Sequence, residues 1–321
     1  MPNYLTGQAL IDAIQHQPSC RQLIGYANQH PKITWKNNAK VAVQFVLNYE
    51  EGAENHIEHG DLGSEQFLSE IVGANSYPAI HRSMDSLYEY GSRAGFWRIH
   101  HEFQKRGLPL TIFGVAMALA RNPQVVQAIK DAKYDVVSHG YRWLHYQNTD
   151  ISIERQHMHQ AISILETLFG QAPTGWYTGR DSPNTRTLLA EFDHIRYDSD
   201  YYGDDLPFWI EQNQHPHLII PYTLDTNDMK FCALNGFNHA DEFYQYLKDA
   251  FDVLYQEQTP KMLSVGMHCR ILGRPARFKA LQRFLDYLET FDDVWICTRE
   301  EIAQHWYTHH YPKDTYATTN I

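Results

Sequence analysis

The sequence predicts an α/β protein, a (β/α) barrel of seven or eight strands. Short apolar runs that resemble strands alternate with helical patterns along most of the chain. Most of the predicted strands end in charged or hydrogen-bonding residues, and the carboxyl ends of the strands carry the reactive groups in barrels of this kind. A length of 321 residues is also typical of one such barrel.

The composition narrows the class of protein. Hydrophobic residues make up 43% of the chain and charged residues 20%, which indicates a globular protein. The net charge of -11 argues against nucleic acid or an anionic membrane as a partner. We identify no secretion signal and no apolar run long enough to span a bilayer. The four cysteines have no metal-ligand spacing, so a cytoplasmic location with free thiols is expected.

The first predicted strand is the most informative stretch, residues 41–54 with the sequence VAVQFVLNYEEGAE. Both faces of this strand carry apolar side chains, which is typical of a strand buried on both sides in a parallel sheet. It ends at Glu50 and Glu51. Two adjacent carboxylates beside a core are costly unless they have a function or a partner, so we interpret them as part of an active site. A solvated turn is the alternative.

The elements of the first half follow in order. Residues 1–21 are predicted as an N-terminal extension with one helix over 7–16, and residues 22–321 as the barrel. Helices are predicted over 65–72 and over 83–105, the latter with an apolar face of 3.6-residue period. A helix over 123–132 has a proline at its start, and one over 153–169 is closed by Gly170. Strands are predicted over 108–115, 134–137 and 174–178.

The second half continues the alternation. Strands are predicted over 194–197, 217–222, 261–267 and 294–298, and helices over 240–256 and after Pro275. Besides the two glutamates, His139, Arg180 and His268 follow predicted strands. A carboxylate can take a proton from water, an imidazole can protonate a leaving nitrogen, and a guanidinium can orient an acyl group or ring. The chain has 19 histidines, so for His139 or His268 taken alone a structural role is as good an explanation as a functional one.

These motifs resemble those of the polysaccharide deacetylase family, also called the NodB-homology or carbohydrate esterase 4 family. The resemblance rests on Glu50-Glu51, the segment HGYRW from His139 to Trp143, Arg180 with Pro183, and His268. It implies a distorted (β/α) barrel, with the first acid as the base and the second acid as a metal ligand. The family has a second metal-binding histidine where this chain has Trp143, and an indole cannot bind zinc. His145 is the alternative ligand if a metal is bound.

Seven segments in order resemble the metal-independent allantoinase branch of this family, which belongs to bacterial urate degradation. They are NYEEGAEN, HGDLGSEQFLSE, YEYGSRAGFWR, SHGYRW, GWYTGRDSPNTR, IPYTLDTNDM and SVGMHCRILGRP, and the resemblance covers roughly residues 22–306. It implies hydrolysis of the hydantoin ring of allantoin, a small-molecule substrate, to allantoate in purine catabolism. It also implies that the enzyme uses no cofactor, has no metal ligands and forms a homotetramer. A cyclic imide hydrolase, a zinc-dependent N-deacetylase of acetylated sugars and a silent binding protein are the alternatives.

The resemblance also assigns roles to the candidate residues. Glu50 is the expected general base, with a pKa raised by its neighbour Glu51 if both carboxyls face the pocket. His268 is the expected acid or electrostatic partner. The remaining three are expected to contact the substrate ring: Glu51, His139 and Arg180. Trp143 is either an apolar wall of the pocket or simple core packing.

Overall fold

The computed structural model describes residues 4–19, 21–27 and 29–312, and one curled mixed sheet organises them. The strands are β1 Val41–Tyr49, β2 Thr111–Gly114, β3 Asp135–Ser138, β4 Gly175–Trp176, β5 Tyr197–Asp198, β6 Phe208–Gln212, β7 His215–Ile219, β8 Lys261–His268 and β9 Val294–Ile296. Their order in the sheet is β6-β7-β5-β4-β3-β2-β1-β8, and β9 pairs with β1. The curled sheet confirms the prediction of a distorted (β/α) barrel.

Strand β1 is the centre of the sheet, as the sequence predicted. It pairs in parallel with β8 along most of its length, with β2 at its carboxyl end and with β9 at its amino end. All of its residues are buried. Val43 and Phe45 lie in one hydrophobic cluster and Ala42 and Val46 in another, so both faces of the strand are covered.

The helices lie between and around the strands. They are α1 Gly7–Gln15, α2 Arg82–Tyr90, α3 Phe96–Arg106, α4 Ala116–Ala120, α5 Pro123–Ala132, α6 Ile151–Phe169, α7 Thr185–Leu189, α8 Ala240–Gln256, α9 Cys269–Leu272, α10 Pro275–Leu288 and α11 Arg299–His309. The helix predicted over 83–105 is α2 and α3 joined by a π-helical turn, Gly91–Gly95. Such turns are frequent at functional sites. None of the helices in the described residues is long and apolar enough to cross a membrane.

The prediction of a helix over residues 65–72 is wrong, because this segment has no regular secondary structure. The carboxylate of Glu65 accepts hydrogen bonds from the backbone N–H groups of Gln66 and Phe67, so the side chain takes donors that a helix would use. Leu68 then adopts the left-handed region with φ of +55°. The whole stretch from Gly52 to His81 contains only one short 3-10 helix, Ile57–His59, and we call it the 52–81 loop.

Strand β6 and the helices α4, α7, α9 and α11 were not predicted. Strand β6 forms an antiparallel hairpin with β7, and the turn between them uses Asn213 and Gln214 at positive φ without a glycine. Helix α11 begins at a capping box formed by Thr298 and Glu301. The division into residues 1–21 and 22–321 stays a prediction; within the first part, α1 has no buried residue. Cys20 and residues 313–321 lie outside the described residues, and the other three cysteines are free thiols.

Candidate active site

Three of the predicted site residues meet at the carboxyl edge of the sheet. Glu50 follows β1, His139 follows β3, and His268 is the last residue of β8. The Glu50 Oε1 atom lies 3.2 Å from His139 Nε2 and 3.6 Å from His268 Nε2. All three side chains are buried. The structure therefore joins residues that are far apart in the sequence into one cluster, in the place where barrel sites lie.

The other ring nitrogen of each histidine is fixed by an acceptor. His139 Nδ1 lies 3.2 Å from the carbonyl oxygen of Tyr177, and His268 Nδ1 lies 2.6 Å from Asp228 Oδ1. A carbonyl oxygen can only accept a hydrogen bond, so Nδ1 of His139 carries a hydrogen. For the same reason Nδ1 of His268 carries a hydrogen toward the carboxylate of Asp228. Both Nε2 atoms then face Glu50. A proton on either Nε2 atom would therefore lie beside the carboxylate of Glu50.

Asp228 was not predicted as a site residue. It begins a short 3-10 helix, Asp228–Cys232, in the segment after β7 and is fully buried. Besides the ring of His268, its Oδ2 atom accepts hydrogen bonds from the backbone N–H groups of His268, at 2.7 Å, and Leu272, at 3.0 Å. The sequence placed this segment, IPYTLDTNDM, among the motifs, but nothing in it distinguished Asp228 from Asp225. Only the fold brings this segment to β8.

Arg270 was not predicted either, and it is the cation closest to Glu50. It lies in α9, two residues after the end of β8, and it is fully buried. Its Nη1 atom lies 2.7 Å from Glu50 Oε2 and 3.7 Å from Glu51 Oε1, and its Nε donates to the carbonyl of Leu68 at 3.2 Å. An arginine three residues after a predicted strand was a signal that could have identified it.

The two adjacent carboxyls have opposite pKa shifts. Burial raises the pKa of Glu50, but Arg270, His268 and His139 together outweigh burial and hold the pKa below its usual range. Burial raises the pKa of Glu51 to about 7; Arg270 opposes this shift and the charge of Glu50 adds to it. The expectation that Glu51 would raise the pKa of Glu50 is therefore wrong, because Arg270 lies closer to Glu50 than to Glu51 and favours its charged form.

Glu51 lies against the π-helical turn. A Cβ atom on Gly91 would be only 2.0 Å from Glu51 Oε1, so the glycine makes room for this side chain. Its Oε2 accepts from the backbone N–H of Glu50 at 3.1 Å, whereas Oε1 is buried and has no hydrogen-bond partner among the described residues. The guanidinium of Arg270 lies close to the carboxyls of both Glu50 and Glu51.

Trp143 and Arg180 form the next layer of the site. The guanidinium carbon of Arg180 lies 3.6 Å from the centre of the Trp143 ring and 4.9 Å from that of Phe67. Trp143 is almost fully buried in the main hydrophobic cluster, and Arg270 lies 5.1 Å from its ring on the way to Glu50. Trp143 is thus packed in the core, and its role as a wall of the pocket stays a prediction. The Nε and Nη2 atoms of Arg180 are buried without partners among the described residues.

A cavity of about 850 Å³ lies beside this layer. Arg180 contributes to its wall together with residues of the 52–81 loop, such as Asn55, Glu65 and Phe67, and with His145. Arg180 Nη1 lies 3.9 Å from Glu65 Oε2, so the loop is tied to the site by an ion pair as well as by the stacked rings. Long loops without secondary structure are commonly functional in compact domains. Of the candidate site residues, Arg180 is the one in the wall of this cavity.

The residues present do not fit a catalytic metal ion. Within the described ranges, no three histidine, cysteine or acidic side chains are placed to hold one. Trp143 offers no lone pair where the family has a ligand, and the exposed side chain of His145 lines the cavity and forms no hydrogen bond or ion pair with the described cluster residues. A structural or catalytic zinc needs at least three protein ligands. The guanidinium of Arg270 already lies against Glu50.

The pKa of Glu51 predicts a pH-dependent stability. Because the pKa of Glu51 is about 7 in the folded protein and 4.5 for an unperturbed glutamate, the folded state keeps this proton when the unfolded state has lost it. Glu51 therefore lowers the free energy of unfolding as the pH rises from 4.5 to 7, by roughly 3 kcal/mol at most. We expect Glu51→Gln to remove this loss, so the variant gains stability over the parent at pH 8 but not at pH 4.5.

Urea unfolding at pH 5, 6, 7 and 8 measures this difference. Glu58→Gln is the control, because the Glu58 side chain is 72% exposed, and its pH dependence should match that of the parent protein. Equal slopes for Glu51→Gln and the parent protein between pH 5 and 8 would contradict the assignment.

The chain belongs to the polysaccharide deacetylase family, a family of hydrolases. The family model for polysaccharide deacetylases matches residues 80–194. A protein of Schizosaccharomyces pombe named "Putative polysaccharide deacetylase" is 41% identical over 297 residues, which are 86% of this chain and 93% of the relative. These findings, together with the curled sheet and its strand-end cluster, confirm the family expected from the sequence.

Two solved structures are similar over almost the full length. A probable polysaccharide deacetylase from Pseudomonas aeruginosa PAO1 is 55% identical with a TM-score of 0.89, covering 91% of this chain and 99% of that one. The PuuE allantoinase is 54% identical with a TM-score of 0.90, covering 92% and 99%. A polysaccharide deacetylase-like structure from Mycobacterium smegmatis, at 21% identity and a TM-score of 0.73, shares the fold.

Proposed function

We propose that this chain is an allantoinase that opens the hydantoin ring of allantoin to allantoate without a catalytic metal ion. The observation that carries the proposal is a set of buried polar atoms without partners in the described chain: Glu51 Oε1, Arg180 Nε and Nη2, and Arg270 Nη2. Buried polar groups in proteins are nearly always hydrogen-bonded, so a set of this kind suits a ligand. A ring with alternating N–H and C=O groups offers both the donor and the acceptors required.

The proposed reaction uses the cluster around Glu50. Glu50, held as a carboxylate by Arg270, takes a proton from the attacking water, and the water oxygen adds to an acyl carbon of the ring. The C–N bond then breaks, and the ring nitrogen takes a proton from Nε2 of His268, whose ring is oriented by Asp228. The leaving ureido nitrogen is a weak base, so it needs less assistance than an alkylamine would. His139 keeps a second imidazole against Glu50.

The substrate contacts follow from the second layer. Arg180 can donate from its two free nitrogens to ring or ureido carbonyl groups, and Glu51 can accept from an N–H group. Trp143 supplies an apolar wall under the guanidinium of Arg180. The similarity to the PuuE allantoinase over 92% of this chain supports the same substrate class.

A cyclic imide hydrolase is the second candidate, because an imide ring also carries N–H and C=O groups. The cavity beside Arg180, with Asn55 and Glu65 in its wall, favours a substrate that has a polar side chain such as the ureido group. A simple imide has no group to fill it. A zinc-dependent N-deacetylase is disfavoured because the cluster contains Trp143 and Arg270 instead of metal ligands.

The test is ring opening of allantoin by the purified protein before and after exhaustive chelation, with metal content measured in parallel. We expect turnover to survive chelation at an unchanged rate in protein that contains less than one metal ion per chain. Succinimide serves as the comparison substrate and should react more slowly. Activity that is lost on chelation and restored by zinc would contradict metal independence. Turnover of succinimide alone would favour the imide hydrolase.

Three further predictions of the resemblance belong to this proposal: a role in purine catabolism, a cytoplasmic location and a homotetramer. The 52–81 loop exposes apolar side chains, among them Leu62, Phe67, Val72, Tyr77 and Ile80. Exposed apolar residues grouped on one segment commonly mark a contact surface, which supports self-association. Light scattering in solution would give the number of subunits.

A further inference from the structure

The guanidinium of Arg270 lies where a hydrolase without a metal ion would need a positive charge. The guanidinium is completely buried and lies between the carboxyls of Glu50 and Glu51 and the aromatic rings of Tyr88 and Trp143, at 4.2 and 5.1 Å. Two of its nitrogens are bonded, Nη1 to Glu50 and Nε to the carbonyl of Leu68. The third, Nη2, is buried and has no partner among the described residues.

The charges around Arg270 keep it a cation. Burial acts against the charged form, but the carboxyls of Glu50 and Glu51 outweigh it and raise the pKa of the guanidinium well above its usual range. A buried ion pair of this kind is costly to assemble, and removal of one partner leaves an uncompensated charge in the core. Arg270 therefore supplies a permanent positive charge beside both glutamates.

We propose that Arg270 is the fixed cation of this active site. Its Nη1 keeps Glu50 ionised as the base, and its Nη2 donates a hydrogen bond to the carbonyl oxygen of the substrate on which negative charge develops. It thus takes two tasks of a metal ion, neutralising the base and stabilising the oxyanion, while it exchanges no proton itself. This inference deepens the proposed function and rests on it for the identity of the carbonyl.

The geometry explains why lysine would not do the same work. A guanidinium is planar and presents donors in a fixed fork, so one group can bond to Leu68, Glu50 and a third acceptor in different directions. An ammonium group is a compact charge at the end of a flexible stem. The carbonyl that Arg270 binds belongs to Leu68, which holds the unfavourable left-handed conformation at φ +55°.

A structural role is the competing explanation, in which Arg270 only ties the 52–81 loop to the barrel through Leu68. The two roles differ in what they do to Glu50. Because Arg270 lowers the pKa of Glu50, its removal should raise that pKa and move the acid limb of the activity profile to higher pH. Loss of a loop anchor alone would change KM or stability and leave the acid limb where it is.

The experiment uses Arg270→Lys, Arg270→Met and Arg270→Ala in the full chain with allantoin as substrate. We expect Arg270→Met to lower kcat by about a hundredfold to a thousandfold, the usual effect of removing an oxyanion donor. The acid limb should move upward by at least one pH unit in Arg270→Met and by less in Arg270→Lys. Methylguanidinium added to Arg270→Ala should restore part of kcat. Thermal unfolding of each variant shows whether it is folded.

Arg274→Met is the matched control. Arg274 lies one turn further along the chain, and its partner Glu70 is also bound by Arg277, at 3.0 Å, so the loss of Arg274 leaves no unpaired acid. The acid limb of the activity profile of Arg274→Met should match that of the parent protein. A folded Arg270→Met variant with the parent's acid limb and no response of Arg270→Ala to methylguanidinium would overturn the proposal in favour of the loop anchor.

A second readout does not depend on the substrate. Infrared spectra of protein with isotope-labelled glutamate report the ionisation of Glu50, identified by its absence in Glu50→Gln. We expect Glu50 to stay ionised in the parent protein at pH 4 and to titrate at higher pH in Arg270→Met. If the parent protein opens no cyclic amide but this shift is seen, the allantoinase proposal fails and the cation role stands. Equal titration in both proteins overturns the cation role.

Discussion

Glu50→Gln is expected to lower kcat for ring opening by about a thousandfold or more, the upper part of the range for general bases. The amide has nearly the shape of the carboxylate but cannot take a proton from water. It also leaves Arg270 without its closest anion, at 2.7 Å in the parent protein, so a loss of stability of about 3–5 kcal/mol accompanies the loss of activity. Steady-state kinetics, calorimetric binding of allantoin and thermal unfolding measure the three effects.

Glu58→Gln is the control for this experiment as well. Glu58 lies eight residues further along the chain at the start of the 52–81 loop and is largely exposed, so its activity should equal that of the parent protein. Binding of allantoin to folded Glu50→Gln should persist, because Arg180 and Glu51 are unchanged. A Glu50→Gln variant that keeps more than a tenth of kcat would show that another group takes the proton.

Asp228→Asn should cause the second largest loss, about a hundredfold to ten-thousandfold in kcat, as expected for a carboxylate that orients a catalytic histidine. Asp228 accepts three N–H groups, from the ring and backbone of His268 and from the backbone of Leu272. An amide has one acceptor oxygen and one donor nitrogen, so at least one of these groups meets a donor instead. The ring of His268 then loses its fixed orientation toward Glu50.

The kinetics should separate this positioning role from a general loss of structure. We expect kcat to fall while KM stays within a few-fold of the parent value, because Asp228 makes no contact with the proposed substrate groups, and we expect the basic limb of the pH profile to change. Asp225→Asn is the control, since Asp225 lies in the same segment after β7, is 64% exposed and pairs with Lys230. An Asp228→Asn variant with parental kcat would remove His268 from the acid role.

Much of the framework of the site could be predicted because it depends on local patterns. The alternation of Val41 to Leu47 indicated a strand buried on both faces, and β1 is buried along its whole length. Polar residues at strand ends identified Glu50, His139 and His268, and parallel strands place their carboxyl ends at one edge of the sheet. Local patterns failed for residues 65–72, where a helix was predicted. The side chain of Glu65 binds the backbone N–H groups that a helix needs.

The sequence by itself determined the barrel, its family and the strand-end residues of the candidate site, since these follow from periodicity and from motifs that are contiguous in the chain. Only the tertiary structure decided how those residues are charged. It brings Arg270 to Glu50, Asp228 to His268 and Gly91 to Glu51, across separations that no local pattern encodes. Burial and the distance to one cation set the two glutamates apart: the pKa falls for the one that Arg270 binds and rises for its neighbour.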